Sequence, residues 1–366
     1  MGRGKAQESV APASKGEENM EYLLNAWYCV GWSDDLRDQP IGHSVLQQPV
    51  VLYRDGAGKA VALDGRCPHR FAPLWKGEVV GDTIMCPYHG LRFDRSGMCV
   101  HNPHGAGQIP PNAKVRSFPV VEKGGALWVW PGDAEKAAPS RLPDPQWLLS
   151  PDYACVTGYL RVEANYQLVI DNLLDLTHAP YLHRNTVGGD PEDSIGAQME
   201  HDFRTDPDNV IHSNYLVRAM PKPTPQMLPL WGDRPGDFRA EMRWHPASTL
   251  ELDIRMSPPG APRTEGIHIP SLHYITPESE TVTHYFYAMG RNVQIEDREQ
   301  TRMMGEFARR AFEEEDEPMI KECQSLMGTT DLFSLRPAIL QTDIAGVQAR
   351  RLLGKLIREE RQGAAA

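Results

Sequence analysis

Residues 67–89 read CPHRFAPLWKGEVVGDTIMCPYH, a stretch in which two short segments repeat one arrangement of metal-binding side chains. The first segment is Cys67-x-His69 and the second is Cys86-x-x-His89, with sixteen residues between them. Each segment also contains a proline, which has a fixed φ and no N–H and therefore suits a tight turn. The order Cys, His, Cys, His predicts one metal centre that is held by two loops.

The alternation of thiol and imidazole ligands discriminates among metal centres. A two-iron, two-sulfide (2Fe-2S) cluster of the Rieske type has two thiolates on one iron and two imidazoles on the other, so each loop would supply one ligand to each iron. A zinc finger groups its cysteines in one knuckle and its histidines in another. A disulfide would explain the two cysteines but not histidines at matched offsets. The pattern favours a Rieske cluster with the ligands Cys67, His69, Cys86 and His89.

The surrounding sequence resembles a known family. The segment CPHRFAPLWKGEVVGDTIMCPYHGLRFDRSGMCVHNPHG, with EYLLNAWYCVGWSDDL before it and SFPVVEKGGALWVWPGD after it, is similar to the Rieske domain of the Rieske non-haem iron oxygenases. Later stretches, DNLLDLTHAPYLH, ITPESETVTHYFYAMGRN and DIAGVQARR, resemble the aromatic O-demethylase branch of that family, which includes the vanillate and dicamba demethylases. The resemblance runs from about Glu21 to Glu360, nearly the whole chain.

Length, charge and hydropathy exclude several classes of protein. A chain of 366 residues is long enough for two domains, and its net charge of −11 argues against a general nucleic-acid or anionic-membrane binder. Six cysteines in a chain of this length do not make a disulfide scaffold. We find no apolar run long enough to span a membrane and no signal-peptide core, so we expect a cytoplasmic protein.

The distribution of strand, turn and helix signals predicts an α+β protein of two domains. Residues 1–20 are polar without hydrophobic periodicity and are expected to be disordered. Short strands and Gly-rich turns in 21–135 predict an all-β domain, and the Pro-rich residues 136–150 predict a linker. In 151–366, strand-like runs precede helical regions. The resemblance implies that this second domain has the helix-grip form, an antiparallel sheet curved around a long helix, and that it is catalytic.

A second group of polar residues lies along a predicted helix. Asn172, Asp175 and His178 are spaced three residues apart and would be neighbours on its surface. His183 would lie on the wrong side of an ideal helix, but Pro180 should end the helix directly before itself and let the chain turn back. Two histidines near a helix end are often caps or buried polar groups. Beside an electron-delivering cluster we interpret His178 and His183 as ligands of a mononuclear Fe(II).

A third ligand is expected to be a carboxylate. Iron that activates O2 is commonly held by two histidines and one carboxylate on one face. The acidic run 313–317 contains the candidates, although on composition alone it would be a solvated helix face. The resemblance selects Asp316 as the ligand, with Glu315 as the alternative.

Two residues of the predicted helix have roles beside the iron. The Asp175 carboxylate, three residues before His178, can accept that histidine's second ring N–H. The resemblance implies that Asp175 also reaches a cluster histidine of the neighbouring subunit, here His89, in a homotrimer. Asn172 matches a family position near the iron, and its alternative is an amide on the helix face.

Substrate contacts are indicated by the resemblance alone. Three positions correspond to substrate-contacting residues of the family, and they are occupied by His245, His268 and Phe307. Two of the three differ in type from the family residues, so the identity of the substrate does not transfer. His268 could hydrogen-bond a carboxylate or phenol of an aromatic acid, and an ordinary strand histidine is the alternative.

These features predict the terminal oxygenase component of a monooxygenase. Electrons from NAD(P)H would pass through a separate flavin/iron-sulfur reductase or a ferredoxin to the cluster and then to the iron, where O2 is activated. The chain has no Gly-rich nucleotide fingerprint after a strand, which agrees with a separate reductase. The resemblance implies O-demethylation of a methoxyaromatic compound, an aromatic acid, with release of formaldehyde. The alternatives are N-demethylation, methyl or ring hydroxylation, and a non-catalytic electron-transfer or redox-sensing protein.

Overall fold

The computed structural model describes residues 22–192 and 199–364, so the segment 1–20 that we expected to be disordered lies outside the described residues. The described N-terminal part consists of short strands in small antiparallel sheets with the orders β1-β11-β10, β2-β3-β4-β9 and β5-β6-β7-β8. The strands are β1 (Tyr28–Trp32), β2 (Ile41–Val45), β3 (Gln48–Arg54), β4 (Ala60–Asp64), β5 (Glu78–Val80), β6 (Thr83–Met85), β7 (Arg92–Phe93), β8 (Cys99–His101), β9 (Ser117–Phe118), β10 (Val120–Lys123) and β11 (Ala126–Val129).

The C-terminal part is built on one large antiparallel sheet with the order β12-β18-β17-β16-β15-β14-β13. Its strands are β12 (Ala154–Val162), β13 (Glu200–Thr205), β14 (Ile211–Met220), β15 (Gly236–His245), β16 (Thr249–Ser257), β17 (Ile267–Ser279) and β18 (Val282–Arg291). The predicted α+β class is confirmed, and so are the hairpins that pair β3 with β4, β10 with β11, and β17 with β18.

Helices follow or interrupt these strands. They are α1 (Tyr166–Leu174), α2 (Ala179–Leu182), α3 (Leu228–Trp231), α4 (Arg298–Arg309), a π-helix (Arg310–Asp316), α5 (Glu317–Met327) and α6 (Ile344–Ala364). Short 3-10 turns occupy Ser33–Asp35, Leu74–Lys76, Ala134–Lys136, Pro139–Arg141, Gln146–Leu149, Leu176–His178, Leu332–Leu335 and Gln341–Asp343. Across 22–192 and 199–364, none of the helices has both the length and the apolar character of a membrane span.

The two faces of the large sheet pack against different parts of the chain. On one face of β17, Ile269 and Ile275 join the large core that also includes residues of the helices. On the other face, Leu272 and Tyr274 join a second core with Trp128 of β11. The Tyr274 and Trp128 rings lie 4.6 Å apart, centroid to centroid. Because side chains alternate along a strand, the N-terminal sheets lie against one face and the helices cover the other.

The predicted helix with the polar residues ends earlier than expected. Helix α1 stops at Leu174, and Asp175 is extended, with φ −111° and ψ 95°. The Asp175 carboxylate accepts the N–H of Thr177 at 2.9 Å and so caps the turn Leu176–His178. Pro180 lies in the first turn of α2, where a missing N–H costs no helix hydrogen bond. The prediction that Pro180 ends the helix was wrong, because capping by Asp175 breaks it first.

Candidate metal centres

Two turns with the same backbone pattern present the cysteines of the motif. The Cys67 carbonyl accepts the N–H of Phe71 at 2.8 Å, and the Cys86 carbonyl accepts the N–H of Gly90 at 3.0 Å. The N–H of each cysteine donates to the carbonyl five residues later. Phe71 and Gly90 both have a positive φ, 57° and 70°. The repeated sequence spacing therefore becomes two matched loops.

The two cysteines of the predicted cluster site are buried, and its two histidines are more exposed to solvent. Cys67 and Cys86 are 1% and 2% exposed, whereas His69 is exposed and His89 is half-buried. The two imidazole rings lie 4.5 Å apart, centroid to centroid. Burial raises the pKa of the Cys67 thiol to about 12, so a thiolate at this position needs a bound cation. This donor set fits a 2Fe-2S cluster whose sulfur-ligated iron is buried and whose imidazole-ligated iron faces the surface.

His178, His183 and Asp316 converge beside the α1–α2 junction. His178 Nε2 lies 3.2 Å from His183 Nε2, and Asp316 Oδ1 lies 3.6 Å and 3.1 Å from these two nitrogens. Donor atoms that bind one metal at about 2.1 Å and at right angles are roughly 3 Å apart. The three atoms thus match one face of an octahedron and fit a mononuclear iron with its other positions open.

Hydrogen bonds to the second ring nitrogen leave Nε2 of both histidines free for a metal. His178 Nδ1 lies 2.6 Å from the Asp175 carbonyl oxygen, and His183 Nδ1 lies 2.7 Å from Glu315 Oε2. Because both partners are acceptors, Nδ1 carries the proton in each neutral ring. The sequence predicted that the Asp175 carboxylate would accept the N–H of His178. The structure shows that the acceptor is the backbone carbonyl of Asp175. The carboxylate is held instead by Thr177.

The π-helix brings the third candidate ligand inward. Asp316 is 4% exposed, and Asn172 donates an amide N–H to Asp316 Oδ1 at 2.9 Å. Glu313 and Glu314 instead lie close to the Arg309 guanidinium. The solvated-face interpretation of the acidic run therefore describes Glu313 and Glu314, while Asp316 faces the two histidines.

The structure does not bring His245 and His268 to these ligands. In β15 the even-numbered residues face the core under the helices, so His245 points to the opposite face of the sheet, where it lies 2.9 Å from Glu251 Oε2. His268 also lies on that opposite face. Its Nδ1 is 2.7 Å from the Tyr153 hydroxyl, and its Nε2 is 3.2 Å from Asp253 Oδ1.

Phe307 lies on the helix-covered side of the sheet. It belongs to α4 and lines a small cavity together with Ile269 and Met304. Ile269 and Met304 are part of the large core. Of the three predicted substrate contacts, Phe307 is therefore the one on the face that carries the candidate iron ligands.

His273 is a residue of this face that the sequence reasoning missed. It is 1% exposed, with Nδ1 2.7 Å from the Tyr285 hydroxyl and Nε2 3.1 Å from the Ser271 hydroxyl. Burial lowers the pKa of His273 to about 3, against the opposing effect of the nearby Asp316 charge, so the ring is neutral. Strand alternation in the sequence could have indicated His273 as a candidate. His268 and His273 are five residues apart in one strand, so their side chains point to opposite faces of the sheet.

An iron–sulfur domain joined to a site of two histidines and one carboxylate defines a class of protein, the oxygenases in which a Rieske cluster passes electrons to a mononuclear iron. The chain belongs to these Rieske non-haem iron oxygenases: residues 26–119 match the Rieske 2Fe-2S domain family and residues 162–359 match the vanillate O-demethylase oxygenase C-terminal domain family. Its cofactors are accordingly a Rieske cluster and a non-haem iron. As an oxygenase component it receives electrons from a separate reductase or ferredoxin.

Curated relatives and solved structures agree with this assignment. The chain is 37% identical to the oxygenase component of dicamba O-demethylase from Stenotrophomonas maltophilia, over 92% of this chain and 98% of the relative. It is 36% identical to the oxygenase component of chloroacetanilide N-alkylformylase from Rhizorhabdus wittichii, over 93% and 97% of the two chains. The crystal structure of dicamba monooxygenase bound to 3,6-dichlorosalicylic acid superposes with a TM-score of 0.87 at 36% identity, over 93% of this chain and 99% of that one.

Proposed function

We propose that this oxygenase O-demethylates a methoxyaromatic acid. The observation that carries the proposal is the facial triad of His178, His183 and Asp316, with donor atoms 3.1–3.6 Å apart, in a domain that matches the vanillate O-demethylase oxygenase family. In the proposal these three residues hold the mononuclear iron. The four cluster ligands are Cys67, His69, Cys86 and His89.

The overall reaction balances with two electrons from the reductase. One oxygen atom of O2 enters a methyl C–H bond, and the other leaves as water after taking up two electrons and two protons. The resulting hemiacetal breaks its C–O bond to give a phenol and formaldehyde. The bound iron supplies the activation of O2, and the protein orients the methyl group and keeps bulk water away from the site.

The interior of the catalytic domain suits an aromatic substrate. Phe312 and Tyr285 lie 5.5 Å apart, centroid to centroid, and the His273 ring packs edge-on to Phe312 at 5.6 Å. Aromatic side chains of this kind pack well against a planar ring. The hydrogen-bonded pair of His273 and the Tyr285 hydroxyl places polar groups among these rings, and a phenolic or carboxylate oxygen would compete for that hydrogen bond. Phe307 adds apolar surface beside Ile269 and Met304.

A second candidate reaction is N-dealkylation or another C–H hydroxylation. It is favoured by the 36% identity to the oxygenase component of chloroacetanilide N-alkylformylase over nearly the whole chain. Both reactions begin with hydroxylation of a carbon next to a heteroatom, so the triad alone does not discriminate between them.

A paired-substrate screen tests the proposal. The purified protein, a compatible reductase and NADH are given aromatic acids in matched methoxy, N-methyl and C-methyl forms, and O2 uptake, NADH use and formaldehyde are measured. We expect methoxy substrates to give phenol and formaldehyde in equal amounts. Turnover confined to N-methyl or C-methyl substrates would overturn O-demethylation. Asp316→Ala serves as the inactive control.

The proposal includes a homotrimer in which each cluster serves the iron of the adjacent subunit. Asp175 supports it, because Oδ1 accepts both Thr177 donors, which leaves Oδ2 without a hydrogen bond from the described residues. Tyr181, close by in sequence, is 71% exposed. In the trimer Asp175 would link His89 of one chain to the His178 region of the next. The domain limits of 21–135, 136–150 and 151–366, and a cytoplasmic location with access to NAD(P)H, are also part of the proposal.

A further inference from the structure

Two neighbouring carboxylates engage the two nitrogens of one imidazole. Asp316 Oδ1 lies 3.1 Å from His183 Nε2, and Glu315 Oε2 lies 2.7 Å from His183 Nδ1. Consecutive residues of an α-helix point about 100° apart and would not both face one ring. Here they end the π-helix Arg310–Asp316, a rare element that is frequent at functional sites.

The Glu315 carboxylate is fixed by a second donor. The Thr186 hydroxyl donates to the same oxygen, Oε2, at 2.6 Å. Thr186 is fully buried, and its backbone N–H donates to the His183 carbonyl at 3.0 Å, so Thr186 and His183 form one turn. Hydrogen bonds to an ionised carboxylate are roughly twice as strong as neutral ones. Glu315 is therefore held at His183 Nδ1 by the same turn that carries the imidazole.

We propose that Glu315 is a positioning residue that orients His183 and strengthens its bond to the mononuclear iron, and that it is not itself a ligand. An acceptor at Nδ1 fixes the proton there, directs the Nε2 lone pair to the metal and raises the basicity of the ring. Neighbouring Glu314, by contrast, is half exposed and pairs with Arg309 at 2.8 Å. The inference rests on the proposed function, because it takes His183 and Asp316 as the ligands.

The test measures metal affinity and needs no turnover. Fe(II) and Co(II) are titrated against a chelator into protein that retains its cluster but has lost the mononuclear iron, and the absorption bands of bound Co(II) report the geometry of its site. Glu315→Ala should weaken binding by about 10- to 100-fold, the range for loss of an outer-shell partner. Glu315→Gln should recover part of the affinity, because the amide oxygen still accepts from Nδ1. Thr186→Val should give a smaller loss than Glu315→Ala.

Glu314→Gln is the matched control, because it removes one negative charge from the adjacent position without touching His183. Its affinity and its Co(II) bands should equal those of the unmodified protein. The electron paramagnetic resonance signal of the reduced cluster should be unchanged in every variant and shows that the chain is folded. Should Glu315→Ala fail to fold, Glu315→Gln and Thr186→Val still decide.

Three outcomes overturn the inference. Unchanged affinity in Glu315→Ala would show that the contact with His183 has no effect on the metal, and, should that variant not fold, unchanged affinity in both Glu315→Gln and Thr186→Val would show that the charge at His183 Nδ1 has none. Complete loss of metal in Glu315→Ala with retention in Asp316→Ala would make Glu315 the ligand. Unchanged binding in Glu315→Ala, Asp316→Ala and His183→Ala together would place the metal elsewhere, and then the proposed iron site itself fails.

Discussion

Asp316 is a buried carboxylate whose ion-pair partners, within the part of the chain that the structure describes, are the two histidines of the triad. Asn172 adds one amide donor at 2.9 Å. A buried anion is costly unless a cation or several hydrogen bonds compensate it. Against the lowering effect of burial, Asp316 and Glu315 raise the pKa of His183, so the site favours a positive charge, which a bound Fe(II) would supply.

Asp316→Ala is expected to remove the mononuclear iron and leave the cluster intact. Iron content should fall from about three to about two atoms per chain, with the spectrum of the reduced cluster retained. With the mononuclear iron removed, Asp316→Asn should unfold at a lower temperature, because it takes away the carboxylate that pairs with His183 and accepts from Asn172. Elemental analysis and calorimetry measure both effects. Three irons in Asp316→Ala would exclude this residue as a ligand.

At the scale of elements, the histidines of the proposed iron site depend on a short helix and one turn. His183 ends α2, and its N–H donates to the Ala179 carbonyl at 2.8 Å. Gly188 folds back on this helix and donates its N–H to the His183 carbonyl at 2.9 Å. A Cβ on Gly188 would collide with the Ala179 carbonyl, which is backbone and cannot move aside without moving α2.

Gly188→Ala should therefore displace α2 and weaken the iron site from a distance. We expect a loss of about 1–3 kcal/mol in the free energy of unfolding, typical of overpacking, together with reduced iron content and an unchanged cluster. The control is Gly305→Ala in α4, where the new Cβ would lie 3.7 Å from Val156 Cγ1 and alanine favours the helix. Equal iron content and stability in the two variants would contradict the role of this turn.

At the scale of the whole molecule, the two parts of the chain meet at a cluster of titratable groups. His43 of β2 and His284 of β18 lie 5.1 Å apart, centroid to centroid, and His284 Nε2 lies 3.1 Å from the Ser44 carbonyl. Glu278 faces the same cluster and pairs with Arg161 at 2.6 Å. Burial, together with the neighbouring His284, lowers the pKa of His43 to about 4.

The contact between these parts should weaken in acid through His43. In the unfolded chain the pKa of His43 is about 6.5, which exceeds its folded value of about 4. Between these two pH values the unfolded chain therefore binds more protons than the folded one. The free energy of unfolding falls as the pH drops from about 6.5 to about 4. His43→Gln should remove about 2 kcal/mol of the loss between about pH 7 and pH 5. The hydrogen bond from Arg161 also holds the pKa of Glu278 below its usual value, so protonation of Glu278 reduces stability in acid in the His43→Gln variant and in the unmodified protein alike. Urea unfolding at a series of pH values measures the free energy of unfolding of both proteins, and His101→Gln, at an exposed position, is the control. If the free energy of His43→Gln and that of the unmodified protein fall in parallel with pH, the role of His43 is refuted.

The proposed trimer makes a prediction that no single chain could satisfy. In the proposal, His69→Ala chains would lack an intact cluster and His178→Ala chains would lack the mononuclear iron, so each homotrimer should be inactive. Co-expression should restore partial formaldehyde release, because an intact cluster of one chain can serve an intact iron of the next. Asp175→Asn should keep both metals but slow reoxidation of the reduced cluster. Mixed trimers without activity would place electron transfer within one chain.

Local spacing carried much of the interpretation. The two cluster loops lie within 67–89, and their Cys and His offsets alone were enough to recognise a pair of matched turns. Hairpins were also predictable, because their strands adjoin a short Gly-rich or polar turn. Both features depend on residues close together in the chain, whose geometry is set by turn chemistry and alternation.

Tertiary structure decided what depends on distant neighbours. The break after Leu174 placed the carbonyl of Asp175, and not its carboxylate, against His178. The π-helix, which follows from packing and not from composition, separated the roles of Glu315 and Asp316. His268 and His273 could not be ranked from the sequence, because a shift of one residue in strand register exchanges the two faces of a sheet. Register is set by pairing with β16 and β18, so the assembled sheet determines which histidine faces the proposed iron ligands.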